Sequence, residues 1–206
     1  MLKAPEFPAP SPPPPAPKGQ PQPGMPPAGD TDATGKAGPP VQSLEQHTKL
    51  LDELYARLAT APDQATANQI SQAIEQLWQH SGSATADLLV ARAGAAIEAQ
   101  NRALAMKLLD AAVELQPDYV EAWNRRAYLF YLDNDYKRAL GDLRRVLALD
   151  PHHFKALEGL ANLLVHLGEK KAALEAYNAL LKVHPNLPDA KKSRDDLVVE
   201  VEGQGI

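Results

Sequence analysis

Pro117, Pro151 and Pro185 stand 34 residues apart, and a helical chain that sets its strongest helix breaker at a fixed interval of that size reads as a repeat array. Aligned on these prolines, other positions fall into the same step: Leu89, Trp123 and Leu157; Ala93, Ala127 and Ala161; Ala96, Phe130 and Leu164. Ala105, Ala139 and Ala173 follow, then Leu109, Leu143 and Tyr177. Within each unit the large and small apolar residues recur three and four apart, which places them on one face of each of two helices. The alanines mark where the two helices of a unit cross closely, because a larger side chain there would overpack the contact. Between the helices, Asp133-Asn134-Asp135 and Leu167-Gly168-Glu169 supply a residue tolerant of left-handed backbone followed by an N-capping residue. Three units are thus expected at 86–119, 120–153 and 154–187.

Composition divides the rest of the chain. Residues 1–40 hold 14 of the 19 prolines and almost no large apolar residues, so a tail over 1–42 has too little surface to bury against the entropy of ordering and is expected to be disordered. Within it, Pro10-Ser11-Pro12-Pro13-Pro14-Pro15 reads as polyproline II, a semi-rigid spacer or a ligand for an aromatic groove. Residues 43–85 carry helical periodicity without the repeat pattern. Leu44, His47, Leu51, Leu54, Tyr55 and Leu58 form one stripe, and Pro62-Asp63 opens a second helix with Ile70, Ile74, Leu77 and Trp78 inward. This divergent pair is expected to cover the exposed first end of the array, since terminal units of solenoids are atypical. At the other end, Pro188 starts a capping helix, within 188–206, with Ala190, Arg194, Leu197 and Val201 on one face.

The unit's pattern, W-x2-L-G-x2-Y, then A-x3-F, then P, resembles the tetratricopeptide repeat over residues 86–187. The resemblance implies an all-α fold: a right-handed solenoid of antiparallel helix pairs whose first helices line a concave groove that binds peptide segments of partner proteins. Carried onto this sequence, the groove positions are Glu121, Asn124, Tyr128 and Tyr131 from the middle unit, and Lys155, Glu158, Asn162 and His166 from the next. The first unit offers Asp87, Val90, Gly94 and Ile97. Asn124 and Asn162 could hold an extended backbone through their amides, and the tyrosines supply flat amphipathic area. The family's carboxylate clamp for chaperone termini is not expected. Lys155 matches one basic position, but Val90, Gly94 and Gly159 stand where a lysine, an asparagine and an arginine belong.

Arg92 and Arg126 occupy the place that the family usually gives to a buried leucine. A buried guanidinium needs a partner. Two roles are open: the stems pack while the heads reach Asp110 or Asp142, or the two arginines form an anion-binding pair at the groove. Trp123-Asn124-Arg125-Arg126-Ala127 and the terminal Glu202-Gly203-Gln204-Gly205-Ile206 resemble small uncharacterised bacterial tetratricopeptide proteins, many of which are exported. No signal peptide is read at Met1, so the chain as written is expected in the cytoplasm, or in the periplasm if its true start lies upstream.

Other chemistry finds little support. The formal net charge is -5 and the cations are interspersed with carboxylates, so no basic stripe suits a nucleic-acid backbone. The absence of cysteine excludes thiolate catalysis and disulfides. No two of the histidines (His47, His80, His152, His153, His166 and His184) have helical zinc-site spacing, and no Gly-x-Ser-x-Gly elbow occurs. Gly29 to Lys36 mimics a phosphate loop and Asp30 to Gly35 the start of a calcium loop, but Ala37 and Val41 replace the hydroxyl and the carboxylate each would need. The sequence therefore reads as a non-enzymatic, cofactor-free and metal-free scaffold with a protein partner, no nucleic acid and no membrane insertion. The alternative is an architectural subunit that associates through its convex faces or caps.

Overall fold

The computed structural model describes residues 44–203, all of whose regular structure is helical. The tail over 1–42, with its polyproline and loop look-alikes, lies outside the described residues, as do residues 204–206. Helices α1 (Leu44–Ala59) and α2 (Gln64–Trp78) precede three pairs: α3 (Ala84–Glu98) with α4 (Arg102–Leu115), α5 (Val120–Leu132) with α6 (Tyr136–Leu149), and α7 (Phe154–His166) with α8 (Lys170–Val183). Helix α9 (Pro188–Gly203) closes the series. The starts of α5, α7 and α9 at 120, 154 and 188, and of α4, α6 and α8 at 102, 136 and 170, keep the 34-residue step set by the prolines.

Local chemistry fixes those starts. Asn101, Asp135 and His153 side chains accept from the backbone N–H groups of Leu104, Arg138 and Ala156, at 3.1, 3.1 and 3.2 Å, and so satisfy donors that a helix N-terminus leaves open. The turn inside each pair holds one residue in left-handed backbone at the same place, Gln100 at φ 58°, Asn134 at 59° and Gly168 at 78°. Packing follows the alanine register. Ala93, Ala127 and Ala161 on the first helices, and Ala105, Ala139 and Ala173 on the second, are all buried.

Each first helix also presents a second apolar row to the unit before it. Ala122 and Leu129 on α5, Ala156 and Leu163 on α7, and Ala190 and Leu197 on α9 are at most 5% exposed. The equivalent residues of α3 are Leu88 and Ala95, which are exposed, Leu88 by 51%. Among the described residues no unit covers them.

The N-terminal pair explains why, and corrects the expectation that it caps this end. Leu54, Tyr55, Leu58, Ala67, Ile70, Ile74 and Trp78 share one core with Phe154, Leu157, Tyr177, Leu180 and Val183 of the third pair. Helices α1 and α2 thus lie across the turns that join successive units, and polar contacts pin them there. Tyr55 donates to Asp150 at 2.5 Å, Ser71 Oγ meets His184 Nε2 at 3.0 Å, and the Asn186 amide donates to the Ala61 carbonyl at 2.8 Å. The reason lies in the register: stepping back 34 residues from Ala105 and Leu109 lands on Ser71 and Glu75, which cannot interdigitate as a repeat helix does. The stripe that α2 does carry, Ile70, Ile74 and Trp78, fits the apolar edge of the third pair instead.

Candidate functional site

Positions 121, 124, 125, 128 and 131 lie on one face of α5 at helical spacing, and the same offsets plus 34 give Lys155, Glu158, Gly159, Asn162 and Val165 on α7. With Gly94, Ile97 and Glu98 of α3, these faces enclose a cleft of about 810 Å³. All eight groove residues expected from the sequence line it: Glu121, Asn124, Tyr128 and Tyr131 from α5, Lys155, Glu158, Asn162 and His166 from α7. Gly94 and Ile97 join them from the first unit. Asp87 and Val90 do not: Asp87 caps the preceding turn by accepting from Ser81 N–H at 2.8 Å, and Val90 is buried.

Glu121 organises the cleft floor. It is nearly buried, accepts at Oε1 from Arg125 Nε at 2.6 Å and at Oε2 from the Asn124 amide at 3.1 Å, and has His153 Nε2 3.7 Å from that second oxygen. Burial alone would raise its carboxyl, but the His153 ring and the Arg125 guanidinium outweigh that and hold it below the usual carboxylate range. Arg125, which sequence reasoning passed over as a groove residue, lies across Gly94: a Cβ on that glycine would meet Arg125 Nη1 at 2.7 Å. The spacing of Glu121 and Arg125, four apart on one helix, was the signal for it. On α7, Tyr177 donates to Asn162 Oδ1 at 2.6 Å, and Lys155 pairs with Glu75 of α2 at 2.8 Å. No sequence signal announced that second contact, since it joins a repeat helix to a divergent one.

Aromatic rings form one wall. Tyr128 is 52% exposed, and Tyr131 stands edge-on to His166 at 6.3 Å. At the α9 end, partial desolvation beside the cleft raises the Glu158 carboxyl above its ordinary value although the residue stays exposed, with Lys155 opposing and Asp189 adding to the effect.

Neither arginine singled out from the sequence lines the cleft. Arg126 sits behind it, donating through Nε and Nη2 to both oxygens of Asp142 at 2.7 and 2.9 Å, and through Nη1 to Asp110 at 2.9 Å. Its guanidinium also covers the Trp123 ring at 4.7 Å. Arg92, the equivalent on α3, is exposed because no preceding unit buries that row. The anion-binding pair is therefore not assembled. Among the described residues no group of three or more His, Asp or Glu is arranged to hold a metal ion, and no helix is long and apolar enough to cross a membrane.

Sequence models described as tetratricopeptide repeat match residues 90–151 and 130–195, together more than half of the chain. A TPR repeat-containing protein of Rhizobium etli is 38% identical over 135 residues, 66% of each chain. The chain belongs to the tetratricopeptide repeat family. Serine/threonine-protein phosphatase 5 of Rattus norvegicus is 34% identical over 87 residues, 42% of this chain and 17% of that one, so the match spans just under two thirds of the first relative and a small part of the second. Among solved structures, the first TPR domain of Spaghetti (RPAP3), bound to the HSP90 peptide SRMEEVD, has a TM-score of 0.55 at 16% identity over 57% of this chain and 94% of that one. That likeness is one of fold. In this tetratricopeptide array Val90, Gly94 and Gly159 carry no charge, and a Cβ added at Gly159 would meet Leu143 at 3.5 Å, so the carboxylate clamp's side chains are absent from these three positions.

Proposed function

We propose that this chain is a non-catalytic scaffold that binds an extended segment of a partner protein in the cleft between α3, α5 and α7. The observation that carries the reading is the pairing of an exposed aromatic wall, Tyr128 with Tyr131, with two side-chain amides, Asn124 and Asn162, along one concave face. With Asn124 donating to Glu121 and Asn162 accepting from Tyr177, the carbonyl of the first and the amide N–H groups of the second remain for a peptide backbone. Photo-crosslinking from position 128 tests this. A partner that crosslinks at 128, and is lost in Asn124→Ala/Asn162→Ala with helicity intact, supports the cleft. Crosslinks that persist unchanged in the double variant count against it.

A second reading is architectural, and the uncovered row on α3 favours it. Leu88 lies exposed where α5 and α7 bury Ala122 and Ala156 against the preceding unit, and Leu104 on α4 is 45% exposed nearby in sequence. Association through that end predicts a concentration-dependent mass in sedimentation that Leu88→Lys abolishes, with crosslinking at 128 unaffected.

A further inference from the structure

Both cations of the cleft are already engaged by carboxylates of this chain. Arg125 is held to Glu121 at 2.6 Å with its guanidinium laid over Gly94, and Lys155 is held to Glu75 at 2.8 Å. Glu98 and Glu158 line the same cleft, and among the described residues neither takes part in a hydrogen bond or an ion pair with a cation. The charge facing a bound segment is therefore negative. Tyr128 and Tyr131 add ring faces of the kind that attract a cation, and the exposed Tyr128 is the more accessible of the two.

We propose that the cleft selects a basic segment, one that carries Lys or Arg beside an apolar or aromatic residue, and rejects acidic ones. This rests on the reading of the cleft as a peptide site and names the chemistry of its ligand. An incoming ammonium or guanidinium finds Glu98 and Glu158 without a direct ion-pair partner, Glu158 feeling Lys155 only through space, while its aliphatic stem lies along the tyrosines. An acidic segment finds no free cation, because freeing Arg125 would strand the nearly buried Glu121 and freeing Lys155 would break the tie to α2. The raised Glu158 carboxyl fits the same scheme: a bound cation restores the charged form that partial desolvation disfavours.

The test uses the full chain and three fluorescein-labelled nonapeptides that share a Gly-Ser frame and a central Tyr-x-Leu-x-Tyr, with x as Lys, Gln or Glu. Fluorescence anisotropy is read for the parent, for Glu98→Gln/Glu158→Gln, and for Asn124→Ala/Asn162→Ala, each checked for helicity by circular dichroism. The expected result is that the Lys probe binds the parent about tenfold or more tighter than the Glu probe, and that the two-glutamine variant brings the three probes together. Salt should weaken only the Lys probe. If the Glu or Gln probe binds as tightly as the Lys probe, or the preference survives in the two-glutamine variant, the charge assignment is overturned while peptide binding stands. If the asparagine variant binds every probe as the parent does, or no probe binds the parent at millimolar concentration, the cleft reading itself fails and this inference with it.

Discussion

The Trp78 indole lies flat on the His153 imidazole, with ring centroids 3.7 Å apart and planes 12° from parallel. That stack joins the divergent pair to the array, because His153 caps α7 through Nδ1 and has Glu121, on the cleft floor, 3.7 Å from its Nε2. Trp78 also donates to Tyr55, which donates to Asp150 in the turn between the second and third pairs. Trp78→Ala should cost about 3–5 kcal/mol, the range for emptying a buried indole site. The loss should be local. Hydrogen exchange should rise across α1 and α2 while α4 to α6 keep their protection; uniform loss across the chain would mean the pair is not a separate cooperative unit.

Arg126 should behave as a structural cation. Asp142 is 9% exposed and Arg126 16%, so Asp142→Ala leaves a largely buried guanidinium with Asp110 as its remaining acid, at an expected cost of about 2–4 kcal/mol. Arg126→Leu/Asp142→Leu, which replaces the pair by apolar groups, should lie nearer the parent than Asp142→Ala does. A double-mutant cycle by urea denaturation reads the coupling, and additive single effects would deny the pair its role. Partner binding should be unchanged in Arg126→Leu if that variant keeps its fold.

The repeat core was legible because it is periodic. Ala127 could be assigned to a helix crossing from its place 34 residues before Ala161, and it is 2% exposed. Ala127→Leu is accordingly expected to overpack the α5 and α6 crossing and to lower stability by about 1–3 kcal/mol, checked by thermal melting. The cleft was legible for the same reason, since one face of α5 maps onto one face of α7. What escaped was where the divergent pair docks: its two helices and the inward Ile70, Ile74 and Trp78 were legible, but its contacts with the array were not. Ser71, Glu75 and Trp78 have no repeat counterpart of the same character, so nothing local told that Ser71 would meet His184 or Glu75 would meet Lys155, more than a hundred and some eighty residues on. The caps and turns fell between these cases. Asn134 and Gly168 could be read as left-handed turn residues, whereas Gln100 does the same work with no compositional signal.

Acid should loosen the seat of the divergent pair. Burial pushes His184 below its ordinary value of 6.5, with a backbone hydrogen bond opposing. The residue is 2% exposed, and its ring meets Ser71 Oγ and stands edge-on to Phe154 at 5.5 Å. A histidine whose folded pKa is depressed stays neutral in the folded state while the unfolded chain takes up a proton. Its contribution is therefore complete above about pH 6.5 and is lost as pH falls below that. Urea denaturation between pH 8 and pH 5 should show stability declining on the acid side. The decline should be shallower in His184→Asn, and an equal slope in the two proteins would assign the effect to other groups.

Gln100 offers a change that should stabilise. At φ 58° its Cβ crowds the following carbonyl, a strain of about 1–2 kcal/mol for a residue other than glycine. Glycine relieves that strain but adds freedom to the unfolded chain, at about 0.5–1 kcal/mol. Gln100 is exposed, so little packing is lost with its side chain. The balance predicts that Gln100→Gly raises stability by roughly 0.5–1 kcal/mol, a gain readable as a higher urea midpoint at unchanged slope. The matched control is Gly168→Gln at the equivalent turn, where φ is 78° and nothing lies within 4 Å of the added Cβ. Since space is free there, any loss of stability in the control reports backbone strain in excess of the unfolded-state freedom that glycine gives up, and the two substitutions should shift the midpoint in opposite directions.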